Sequence, residues 1–130
     1  MFDNTQVDQW LDWEFIELEP AALTFTLPYL GLFPYLKDVH SNAEEDLSNT
    51  LEFLDKCLKG KKFIVGNETT IADISIASSL NVCFQWIFDE KYREKIPNVV
   101  NWYENVINEE YWRKEYGKPI LCKLPLKFPG

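Results

Sequence analysis

Asp73 is the first residue to ask chemistry of. It opens an almost wholly apolar run in "GNETTIADISIASSL", residues 66–80. A carboxylate there can move a proton or hold a ligand, or it can cap a helix. Thr70 and Asp73 have N-cap and N3 spacing. The Thr hydroxyl can accept from the Asp73 amide, and the carboxylate can reach back to the Thr70 amide, so two orphan donors are satisfied at once. At a buried helix end water cannot substitute, and an uncapped amide costs ~1–3 kcal/mol. Thr70 and Asp73 are therefore expected to be a structural cap.

Other reactive groups are sparse. His40, expected in a loop, has Asp38 and Ser41 beside it. Acid, base and hydroxyl are all present, but a triad needs three converging directions and near neighbours in sequence rarely supply them. Cys57, Cys83, Cys122 and His40 are the available nitrogen and sulfur ligands, and their spacing lacks the paired ligands of a zinc site. The expectation is reduced thiols in a cytoplasmic protein, with no catalytic residue, metal or cofactor. Asp8, Asp12 and Glu19 lie along one side of the first helix, as a solvated face or as a contact for a basic partner.

The 130 residues are most simply one domain, long enough to bury a core without disulfides. With 21 acids against 13 bases the net charge is -8, which disfavours direct nucleic-acid binding and anionic membranes. Acids at 3, 8 and 12 break every early apolar run, so no signal peptide is expected, and no run reaches membrane-spanning length. Aromatics are 15% of the chain, a heavy load that points partly to core and partly to a covered surface.

The elements that hold these residues read as helices. In "NTQVDQWLDWEFIELEP", Thr5 and Asp8 resemble a capping pair. Val7, Trp10, Leu11 and Leu18 share a face that Trp13 and Ile16 widen. Pro20 either kinks this helix or opens another. Pro28, Gly31 and Pro34 punctuate the next stretch. A second long helix is expected behind a Ser41–Glu44 capping box, with Leu47, Leu51, Leu54 and Leu58 as one stripe and Gly60 as its stop. The run from Thr70 to Phe88 is apolar on nearly every face and should be the central, buried helix. Val99, Trp102, Tyr103 and Val106 share one face of a further helix, and "EEYWRKEYG" closes the bundle. Alternation of strand type is nowhere sustained. The fold class expected is all-α, a bundle of five to six helices around a buried central helix. Residues 1–117 form the domain, and 118–130, with three prolines and three lysines, form a tail or the start of a linker.

Phe63, Ile64, Val65, Gly66, Thr70, Ala72 and Asp73 together resemble the motif that opens the central helix in the C-terminal, all-helical domain of the glutathione transferase superfamily. There the Thr and Asp form a folding-critical cap. Thr69 departs from the pattern, since an apolar residue usually stands before the cap and packs as a staple. Tyr92, Arg93, Pro97, Asn98, Trp102, Tyr103, Ile107, Asn108, Tyr111, Gly117, Leu121 and Cys122 resemble one branch, the gamma subunits of translation elongation factor 1. "QVDQWLDW" and "FPYLKD" loosely fit the same branch, and similar domains are appended to aminoacyl-tRNA synthetases and their scaffold proteins.

The resemblance implies a non-catalytic interaction or scaffold domain. Its partners would be other elongation factor 1 subunits, which exchange nucleotide on the GTPase that carries aminoacyl-tRNA. The alternatives are a synthetase-complex module, with synthetase-complex proteins as partners, or the helical half of a glutathione transferase. In that superfamily the thiol-activating residue and most of the glutathione site lie in an N-terminal thioredoxin-like domain, and this chain is expected to begin after it. The resemblance to the synthetase-type relatives further points to Tyr92, Arg93, Asn98 and Trp102 as a candidate protein interface, with Arg93 in an exposed turn. The other reading puts Trp102 in the core and leaves Arg93 merely solvated. Trp10 and Trp13 form a second candidate surface, open to a homo-oligomer mate or to the domain expected to precede this one.

Overall fold

The computed structural model describes residues 4–117 and 120–130. Among these residues the chain is all-α: α1 (Asn4–Trp13), a π-helical turn π1 (Glu14–Leu18), α2 (Glu19–Tyr29), α3 (Lys37–Leu58), α4 (Ile71–Val82), a second π-helical turn π2 (Cys83–Ile87), α5 (Glu90–Arg93), α6 (Pro97–Ile107) and α7 (Glu110–Tyr116). Since α1, π1 and α2 run on without a break, as do α4 and π2, these are six rods.

Pro20 falls in the first turn of α2 and so opens that helix, without breaking the rod. It has no N–H for the carbonyl of Ile16, and the wider turn just before it absorbs the conflict. The Glu19 amide reaches back five residues to Glu14. Leu18 is buried in this turn, but Ile16, expected on the apolar stripe, is 65% exposed. Two residues from both Glu14 and Leu18, it points the other way. The Thr5 cap is also displaced, because the helix already includes Asn4.

Four leucines of α3 form the expected buried stripe: Leu47, Leu51, Leu54 and Leu58. The start of α3 differs from expectation. It begins at Lys37 behind Leu36, which offers no side-chain cap, so Ser41 and Glu44 lie inside the helix and form no capping box. His40 is thereby helical and buried rather than in a loop.

The α4–π2 rod packs against α1, α2 and α6, while α3 closes the bundle against α2 and α6. Ala72, Ile76, Ala77, Leu80, Cys83 and Phe84 are buried along it, as an apolar run requires. Only its ends are open: Ile71 and Trp86 are exposed. A π-turn ends the rod, and the Phe88 amide bonds the Cys83 carbonyl at 2.6 Å.

For residues 118–130 the expectation is a tail or the start of a linker. Lys118 and Pro119 lie outside the described residues, but Ile120–Gly130 lies against the bundle. The Cys122 amide donates to the Phe84 carbonyl at 2.7 Å and the Leu126 amide to the Trp86 carbonyl at 2.8 Å. These carbonyls stand at a helix C-terminus, where no intrahelical donor remains, so the tail serves as their cap.

Candidate functional site

Asp73 is 0% exposed and serves more than its own helix. Its Oδ2 accepts from the Thr70 amide at 2.9 Å and the Thr70 hydroxyl at 3.3 Å. Its Oδ1 accepts from the Ile64 amide at 2.9 Å and from Trp102 Nε1 at 2.7 Å. One carboxylate thus ties the start of α4 to the segment before it and to α6. The Thr70 side chain completes a capping box with the N3 backbone. Thr69 does not staple; its hydroxyl donates to Glu109 Oε1 at 3.2 Å, at the start of α7. With every lone-pair direction engaged by a fixed donor, this carboxylate has no lone pair facing a substrate.

Asp55, on α3, was not singled out in the sequence. Helix α6 opens with Pro97 behind Ile96, which cannot cap. Asp55 Oδ1 accepts instead from the Asn98 and Val99 amides at 2.8 and 3.0 Å, and Oδ2 accepts from Asn98 Nδ2 at 3.2 Å. A negative charge thereby meets the positive end of a neighbouring helix. Glu14 was also missed. It is buried in π1, and its Oε1 accepts from the Ser79 hydroxyl of α4 at 2.6 Å.

The candidate interface residues fall in different places. Trp102 is wholly buried, at 0% exposure, and is removed from any surface. Arg93 does not project from an exposed turn; it is half-buried, and Nη1 donates to the Phe88 carbonyl at 2.8 Å and the Cys122 carbonyl at 2.6 Å. Tyr92 stacks on Phe88 with centroids 4.1 Å apart. Asn98 is half-buried against Asp55. Trp10 and Trp13 are half-buried in a T-shaped pair at 5.2 Å, and Phe53 of α3 packs on them at 6.4 and 5.9 Å. Their remaining surface, with the exposed Phe53, is an aromatic patch between α1 and α3.

His40 does not meet Asp38 and Ser41 as a triad would require. Its Nε2 lies 3.2 Å from the Phe25 carbonyl oxygen, to which an N–H there donates. The rings of Phe25, Tyr29, Tyr35 and Phe128 surround it at centroid distances of 5.1–5.7 Å. Burial pushes the Cys83 thiol up to about 12 and raises Cys122 as well, so neither is a ready thiolate nucleophile. Burial also pushes the Tyr92 hydroxyl up to about 12. Among the described residues, no three His, Cys, Asp or Glu side chains are grouped to hold a metal ion, and no helix is long and apolar enough to cross a membrane.

The glutathione S-transferase C-terminal domain family matches residues 18–110. Elongation factor 1-gamma of Homo sapiens is 31% identical over 123 residues, which is 95% of this chain and 28% of that protein. The elongation factor 1-gamma of Artemia salina is 30% identical over 121 residues, 93% of this chain and 28% of that protein. The chain thus spans little more than a quarter of the length of these relatives. The solved GST-like domain of elongation factor 1-gamma from Saccharomyces cerevisiae superposes with a TM-score of 0.85 over 95% of this chain and 56% of that one, at 21% identity. Poplar glutathione transferase F1 superposes with a TM-score of 0.71 over 85% of this chain and 52% of that one, at 19% identity. At such identities these two structures speak for the fold.

Proposed function

The chain belongs to the glutathione S-transferase C-terminal domain family, and we propose that it is a non-catalytic interaction domain of the elongation factor 1-gamma type. The observation that carries this reading is the 31% identity to elongation factor 1-gamma along 95% of the chain. The side chains support it. Asp73, Asp55, Glu14 and Arg93 are each held in bonds that join one element to another.

In this reading residues 1–117 form the helical domain, with 118–130 as its tail. The protein works in the cytoplasm and holds the nucleotide-exchange subunits of elongation factor 1 by surface contact. The contact is the Trp10–Trp13–Phe53 patch, since aromatic anchors bury large area at low entropy cost. Tyr92, Arg93 and Asn98, each half-buried, remain candidates for a second contact. The acidic charge of -8 favours a basic partner segment. A thiol-conjugation assay with glutathione and a reactive aryl halide tests the absence of catalysis. Turnover is expected to stay at background. Turnover abolished by one substitution within this chain would favour a transferase instead.

A further inference from the structure

Residues 118–130 carry three of the 13 bases and none of the 21 acids, so the tail is +3 while the rest of the chain is -11. The tail follows π2 in the same direction, with Cys122 on Phe84 and Leu126 on Trp86. Arg93 clasps it at the Cys122 carbonyl. At the far end Phe128 sits among Tyr29, Tyr35 and His40, with ring centroids 6.2, 5.6 and 5.7 Å away. Leu121 packs on the core and Cys122 is buried, but beyond them the hold is light, for Phe128 remains 50% exposed and Leu124 is 89% exposed. Two backbone bonds, one guanidinium clasp, the buried Cys122 side chain with Leu121 beside it, and one aromatic plug join it here.

From this arrangement we propose that residues 120–130 are a detachable strap, and that the groove beneath them is a peptide site. Its ligand class is an extended, basic segment bearing an aromatic residue, and in this structure the chain's own tail fills it. The chemistry has three parts. The Phe84 and Trp86 carbonyls take the backbone N–H groups of an extended chain. The ring set of Tyr29, Tyr35 and His40 takes the aromatic. The negative remainder of the molecule draws the lysines. Release of the strap opens all three, because one continuous segment closes them.

The test uses the full chain and its Phe128→Ala variant. Amide hydrogen exchange is followed at Cys122 and Leu126, with Leu80 in the core of α4 as reference. A strap opens as a unit, so both tail amides exchange at least ~10-fold faster than Leu80, and Phe128→Ala speeds both a further ~10-fold without moving Leu80. Raised salt speeds the tail amides in both proteins. The synthetic peptide ILCKLPLKFPG, fluorescently labelled and kept reduced, then serves as probe. Phe128→Ala, with its own plug removed, is expected to bind the peptide at least ~10-fold more tightly than the wild type does. Tail amides that exchange only with Leu80 would overturn the strap. Acceleration confined to Leu126 would also overturn it, and equal or absent peptide binding in both proteins would overturn the peptide site.

Discussion

Replacing Asp73 by Ala removes a carboxylate with four bonds from a site closed to water. A lost helix cap alone costs ~1 kcal/mol. Here the Thr70 amide, the Ile64 amide and Trp102 Nε1 are all left as donors without an acceptor, and each such buried group costs ~1–3 kcal/mol. Relief of the desolvation of the carboxylate offsets part of that. The expected loss is ~3–5 kcal/mol, a large share of the ~5–15 kcal/mol that holds a domain together. Thr70→Ala should cost less, ~1 kcal/mol, because the backbone amide keeps its bond to Asp73. Trp102→Phe should cost ~1–3 kcal/mol through one arm of the same carboxylate. Urea unfolding, followed by tryptophan fluorescence and far-UV circular dichroism, reads all three. The double variant Asp73→Ala/Trp102→Phe should lose less than the sum of its parts, since both remove one shared bond. A loss below ~1 kcal/mol for Asp73→Ala, or strict additivity in the double variant, would refute the reasoning.

Three further outcomes follow from the same kind of bond. Asp55→Ala should destabilise the domain by ~1–2 kcal/mol in thermal or urea unfolding, because it uncaps α6 from a neighbouring helix. Ser79→Ala should cost ~1–3 kcal/mol by leaving the buried Glu14 carboxylate without its donor, and Glu14→Gln should cost less, since the amide oxygen still accepts. Stability should fall in alkali. Burial raises Cys83 from 9.0 and Tyr92 from 10.0, each to about 12, and in both the neutral form is favoured in the folded state. Their contribution is full below the ordinary values and is lost as pH rises through the folded ones. Urea midpoints should therefore decline from pH 9.0 toward about 12, and Cys83→Ala should flatten the decline.

Much of the bundle was readable because its signals are local. The Leu47–Leu58 stripe, the Thr70–Asp73 spacing and the all-apolar run after it each lie within one element. What escaped was set between elements. Asp55 caps α6 across a gap of 43 residues, and only the poor cap at Ile96 hinted that a donor set was waiting. Nothing local marked Glu14, which the turn ahead of Pro20 brings against Ser79. Ser41 and Glu44 carried a valid capping pattern, yet α3 ran on past them to Lys37. The tail had no helical period, and nothing in its own residues showed that the carbonyls of π2 would bind it. Trp102 and Arg93 had the composition of an interface, but packing and the tail took up both.

The central claim is that this domain works by holding a protein partner. Sedimentation velocity on an equimolar mixture with the nucleotide-exchange subunit of elongation factor 1 tests it most directly. At micromolar concentration the two are expected to move as one faster boundary, and the Trp10→Ala/Trp13→Ala variant should weaken the complex by ~10-fold or more. Two boundaries at the positions of the separate proteins would contradict the account.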